Sequence, residues 1–156
     1  MNRSLPDKQV QRVYVAEVAL DPWNYKIQDH DEIVEYCNNL LDNARVKAEY
    51  GKWYAEREID VAVRRTNAVY SLANVDGIWI TPCDFTVCTV IHEIAHVLQY
   101  RIHERHAVAG HDWTFTSIYL SLVRAMLGKG AHAALQSSFD FHKVEYRPRP
   151  LTRYKK

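Results

Sequence analysis

An α+β fold is predicted for this chain of 156 residues from three observations. Residues 31–50 carry an apolar helical period. Residues 59–81 contain short β-rich runs separated by turn residues. Two further helical periods follow residue 85. Apolar residues make up 47% and charged residues 25% of the chain, as in an ordinary globular domain. The length fits one domain able to bury a core without disulfides.

The elements follow in order. Residues 12–20 (RVYVAEVAL) are rich in Val and Ala with partial alternation. They predict a short strand, with a helix start as the alternative. Residues 21–29, with Pro22 and Trp23, predict a loop. From Asp31 to about Tyr50 the residues Ile33, Tyr36, Cys37, Leu40, Leu41 and Ala44 share one helical face. Asp29 or Asp31 is placed to cap that helix and Gly51 to end it. Ile59–Val63, Ala68–Leu72 and Gly77–Thr81 read as two or three antiparallel strands, with a turn at Asn74–Gly77. Thr81–Asp84 is a strand-to-helix corner with Asp84 as the expected N-cap. Phe85 to about His103 is the strongest helix, with Val87, Ile91, Ile94, Ala95 and Leu98 on one face. A polar, His-rich loop then runs to Gly110. Trp113–Leu127 is helical again and is expected to end at Gly128 and Gly130. Ala131–Phe141 reads as a last short helix. Residues 1–142 are expected to form the single domain, and 143–156 an extended basic tail, because Pro148 and Pro150 forbid a helix there.

Bulk properties exclude several function classes. A net charge of +1 gives no global attraction to nucleic acid or membrane. No apolar run approaches the roughly 18 residues of a membrane span. No secretory signal is visible in residues 1–8, so a cytoplasmic location is the expectation. The three cysteines, Cys37, Cys83 and Cys88, are odd in number and lack C-x-x-C spacing, against a disulfide framework or a zinc ribbon.

The chemistry concentrates in the histidines. Five of the eight fall between His92 and His111. His92-Glu93-Ile94-Ala95-His96 is H-E-x-x-H. Residues i and i+4 share a helix face, so two imidazoles there can converge on one tetrahedral ion. Glu93, one residue round, is placed to reach a water on that ion and act as general base. The competing reading is a solvated helix face with two ordinary histidines. A catalytic zinc ordinarily has three protein ligands. The metzincin pattern would need Gly at 99 and His at 102, where this chain has Gln99 and Ile102. Glu104 is too close on the same helix and Glu145 lies in the tail. His103 is about 10 Å beyond His96 along the axis, too far to share the ion. His111, which opens the next helix, is the favoured third ligand and His106 the second choice. Asp112 is either a partner that orients a histidine or an early-helix residue favoured by the dipole.

These residues resemble a known family. H-E-x-x-H, a polar interval, then Gly110-His111-Asp112-Trp113-Thr114-Phe115 is similar to the SprT-like (Spartan-type) zinc metallopeptidase pattern, which has G-H-G-x-x-F. Residues 11–17 (QRVYVAE) also look similar to a group of small metallohydrolases of actinobacteria and their phages. The resemblance covers residues 76–127 well and the remainder loosely. It implies a zincin-like fold: an N-terminal helix, a small antiparallel sheet, the H-E-x-x-H helix and a following helix with the third ligand. It implies Zn2+ on His92, His96 and His111, Glu93 as catalytic base, and a peptide or protein substrate. It also implies that a strand near Gly77–Thr81 pairs with an extended peptide through a free edge. Phe115 matches an aromatic that packs rather than reacts. Asp112 departs from the family's Gly, and the Cys-rich ribbon of many members is absent, so their DNA-linked role is not carried over. Tyr100, His103, His106 and Tyr119 are candidate donors to a developing oxyanion. The alternative function is a non-catalytic, metal-containing binding module contacting nucleic acid or a protein through the basic tail.

Overall fold

The computed structural model describes residues 6–65, 67–103 and 109–147. Among these, five helices and three short strands follow in the order α1 (Val10–Glu17), α2 (His30–Asp42), α3 (Ala44–Tyr50), β1 (Asp60–Val63), β2 (Leu72–Ala73), β3 (Gly77–Ile80), α4 (Val87–Ile102) and α5 (Trp113–Phe141). The class is α+β, as the sequence predicts. α4 lies at the centre, packed against α5 on one side and β3 on another. Ile91, Ile94 and Leu98 of α4 are fully buried with Ile78 and Ile80 of β3 and Phe115, Ile118 and Leu122 of α5.

Several expectations are corrected. The N-terminal segment is a helix, not a strand. Val13, Ala16 and Leu20 are buried at three- and four-residue steps, and packing of this face on α5 outweighs the strand preference of its valines. The predicted helix over 31–50 is two helices. Asn43 adopts φ −58°, ψ 128°, and its Oδ1 accepts from the N–H groups of Arg45 (3.0 Å) and Val46 (3.3 Å), so it ends α2 and caps α3. Of the two candidate caps of α2, Asp29 is used, accepting from Glu32 N at 3.0 Å. Gly51 does not stop the chain's coiling, which continues as a 3₁₀ turn, Gly51–Trp53.

The sheet is mixed rather than antiparallel. Its order is β1-β3-β2, with β1 parallel to β3 (Asp60↔Gly77 to Val63↔Ile80) and β2 antiparallel to it (Leu72↔Trp79, Ala73↔Ile78). β3 is therefore the central strand, and the free edges belong to β1 and β2. Asn74 forms the predicted turn, its Oδ1 accepting from Asp76 N (2.7 Å) and Gly77 N (3.2 Å). The N-cap of α4 is Thr86, whose Oγ1 accepts from Thr89 N at 3.3 Å. Asp84 sits instead in the 3₁₀ turn Pro82–Asp84. In α5, Gly128 takes φ +92°, a conformation that side chains disfavour, and breaks the helical path as expected. Gly130 does not end the helix, and residues 131–141 continue it beyond the break.

Of the tail, residues 143–147 fold back on the domain. Val144 is buried, Glu145 N donates to Gln9 Oε1 (2.9 Å), and Arg147 N donates to Ser117 Oγ (2.7 Å). Residues 148–156 lie outside the described residues. Cys37, Cys83 and Cys88 are free thiols. Among the described residues no helix is long and apolar enough to cross a membrane.

Candidate metal centre

The spacing of His92 and His96 puts both on one face of α4, and the return of the chain into α5 brings His111 against them. The three Nε2 atoms form a triangle with sides of 3.2, 3.2 and 3.3 Å. Four nitrogens at about 2.0–2.1 Å around a tetrahedral ion stand about 3.3–3.4 Å apart, so this triangle fits one face of such a coordination shell. The three are the only group of potential metal ligands found among the described residues. Their exposures of 7%, 7% and 6% remove the reading of a solvated helix face. Of the other candidates, His103 turns to α5, with Nε2 3.1 Å from Thr114 Oγ1, and His106 lies outside the described residues.

What the Nδ1 atoms do fixes what the Nε2 atoms can do. His92 Nδ1 donates to Glu17 Oε1, at the end of α1. His111 Nδ1 donates to Asp7 Oδ2 at 2.6 Å. His96 Nδ1 faces Gln99 Oε1 at 3.3 Å. The orientation of the Gln99 amide is set by its Nε2, which donates to Ala109 O (2.8 Å) and Asp112 Oδ1 (2.9 Å). With the proton on every Nδ1, each Nε2 presents a lone pair, and three lone pairs converge in a buried space. A cation at their meeting point resolves that repulsion. Carboxylate and amide partners of this kind hold ligand imidazoles in one tautomer and orientation.

The electrostatics agree for two of the three rings. Burial, helped by the charge of His92 and His111, holds His96 well below the ordinary imidazole range. Burial and His92 lower His111. Burial pulls His92 the same way, but the charge and hydrogen bond of Glu17 prevail and raise it. Ligand imidazoles must be neutral, and the first two are held in that state. Burial raises the carboxyl of Glu93 above the usual range.

Both readings of Asp112 hold in part. Its Oδ1 caps α5, accepting from Thr114 N (2.9 Å) and Phe115 N (3.1 Å), and also accepts from Gln99, which orients His96. Gly110 leaves room for this assembly, since a Cβ there would stand 3.2 Å from Asp7 Oδ2. Gln9 ties the backbone of His111 to the tail, donating from Nε2 to His111 O at 2.6 Å. Phe115 packs against all three imidazoles, 4.1 Å centre to centre from His96.

Glu93 and His92 open onto a cleft of about 680 Å³ between α1, the start of α4 and residues 69–72. Tyr14 of α1 lines it, half-exposed, with its ring 5.2 Å from that of His111 and 6.0 Å from that of His92. Sequence reasoning missed Tyr14, Glu17 and Asp7. Of its oxyanion candidates, Tyr119 is buried against His92, with ring centres 5.5 Å apart. Tyr100 stacks on His96. The central position of β3 removes its expected free edge.

Among known proteins, no family model, no curated protein and no solved structure matches this chain.

Proposed function

We propose that this protein is a zinc-dependent hydrolase that cleaves peptide bonds, with a zincin-like arrangement of the SprT-like kind. One observation carries the reading: three buried imidazoles bring their Nε2 atoms within 3.2–3.3 Å of one another beside the buried carboxylate of Glu93, at the inner end of an open cleft. Three neutral nitrogen donors with tetrahedral spacing suit zinc, and the cleft side is where substrate and water have access. Zinc held there polarises a carbonyl and brings the pKa of water toward neutrality.

The protein's own groups supply the remainder. Glu93 takes the proton of the attacking water and delivers it to the departing amine. Burial raises its pKa, which favours holding the proton between the two acts. Glu17, Asp7 and Gln99 hold the three rings so that no reorganisation is needed as charge develops. The Tyr14 phenol, in the same cleft, is the donor to the oxyanion.

The test is Glu93→Gln. Peptide hydrolysis is expected to fall by about 10²–10⁴-fold, the usual weight of a general base. Elemental analysis is expected to find the same one zinc per chain. Undiminished cleavage in this variant would refute the assignment.

A further inference from the structure

The cleft beside Glu93 carries a pattern that metal binding does not require. Eight large apolar side chains are exposed among the described residues, and five of them, Tyr14, Val18, Val69, Tyr70 and Leu72, line this one cleft. Scattered exposed apolar residues are ordinary, whereas a gathered rim marks a binding groove. The volume, about 680 Å³, is that of a groove for a few side chains.

The charged part of the lining has a different character. Glu17, Asp21, Asp84 and Glu93 line the cleft, and no Lys or Arg does among the described residues, in a chain with 20 of them. The N-terminus of α4 lies at the same end, and its donors are taken. Val87 N donates to Tyr25 O (3.1 Å), Cys88 N to Asn24 Oδ1 (3.0 Å) and Thr89 N to Thr86 Oγ1 (3.3 Å). An anionic side chain entering the groove therefore meets carboxylates and finds no free helix donors there. β2 is an outer strand, and the residues leading into it, Val69–Leu72, form one wall, so an extended backbone can lie along it.

The geometry points to a substrate class. The groove accepts an extended peptide segment with a bulky apolar side chain close to the scissile bond and no acidic side chain beside it. This rests on the hydrolase reading of the triad and Glu93. The distance from Thr86 to His92 along α4 is about 9 Å. That spans about three extended residues. Selection therefore acts within three residues of the cut, on the side that lies over Thr86.

The experiment uses the zinc-loaded full chain and a mixture of unstructured peptides of balanced composition, with cleavage sites read by mass spectrometry. Sites are expected to be enriched in Leu, Met, Phe and Tyr within three residues of the cut and depleted in Asp and Glu. For the best peptide, replacing the apolar residue by Ser is expected to lower kcat/KM by tenfold or more, and by Asp further still. In a Val69→Thr/Leu72→Thr double variant, the gap between the apolar peptide and its Ser analogue is expected to narrow. Both side chains are exposed, so the fold is not at stake. Hydrolysis with no such preference overturns this inference and leaves the catalytic reading standing. No hydrolysis of any peptide by a zinc-loaded protein sinks the catalytic reading. Fluorescence anisotropy with the Glu93→Gln variant then decides the groove separately: apolar peptides bind better than their Asp analogues, or the groove assignment falls.

Discussion

The two ends of α4 bury polar groups in opposite ways. At the C-terminal end Arg101 is 7% exposed and backbone carbonyls answer its charge. Its guanidinium donates to Val75 O (2.8 Å), Trp53 O (3.0 Å), Arg57 O (2.6 Å) and Glu58 O (2.8 Å). Two turns earlier, His92 and His96 are as deeply buried, yet with His111 they turn three Nε2 atoms toward one another. Arg101 is complete in itself and pins the 53–58 and 75 loops to the helix. The triad brings three nitrogens close enough to hold one metal ion. Equal burial therefore accompanies two different balances of donors and acceptors.

The comparison breaks most visibly at His111→Ala. Removing one corner of the triangle leaves two imidazoles on one helix. Bound zinc after gel filtration is expected to fall from one equivalent per chain to a small fraction, with the far-ultraviolet circular dichroism retained. Full zinc content in that variant would mean that the three nitrogens do not act as one site.

Arg101→Met is the counterpart. Four carbonyl oxygens lose their donor, and hydrogen bonds to a charged group contribute about 1.5–3 kcal/mol each, so a loss of several kcal/mol is expected. Urea unfolding is expected to show that loss with the zinc equivalent unchanged in the folded protein. If zinc were lost first, the two ends of α4 would not be independent.

How far the sequence foretold this comparison differs between its parts. The triad was legible because two of its histidines share a helix face four residues apart and the third follows a glycine 15 positions after His96. The helical class of α4 and α5 was legible from apolar period alone. The partners of the rings were not. Glu17 is 75 residues from His92 and Asp7 is 104 from His111, and no local pattern encodes such pairings. Glu17 also lies in the segment read as a strand, although buried Val13, Ala16 and Leu20 already carried the helical step. The parallel pairing of β1 with β3 was hidden for a similar reason. Tight turns suggest antiparallel neighbours, and only the tertiary path inserts β3 between β1 and β2. The break at Asn43 rests on a single residue whose side chain serves as a cap as readily as it sits in a helix.

A smaller effect is expected at Glu17→Gln. The amide can still accept from His92 Nδ1 but no longer places a negative charge behind the ring. Metal affinity is expected to weaken about 10–100-fold, the usual range for such partners. Competition with a chelator of known affinity measures it. An unchanged zinc affinity would reduce Glu17 to a packing role.

The smallest effect sharpens the same contrast from the other side. His96 already has an amide partner, Gln99, rather than a carboxylate. Gln99→Met removes a long, 3.3 Å contact from the ring but also two shorter bonds, to Ala109 O and Asp112 Oδ1, which hold the turn before α5. The loss in stability is therefore expected to exceed the loss in metal affinity. The bond to Ala109 O is neutral and contributes about 1 kcal/mol, and the one to the Asp112 carboxylate somewhat more, so unfolding should shift by about 2–3 kcal/mol. Zinc affinity should fall by less than for Glu17→Gln, because His96 is held between Phe115 and Tyr100 as well. If Gln99→Met instead weakened zinc more than Glu17→Gln does, ring orientation rather than negative charge would be the main contribution of all three partners.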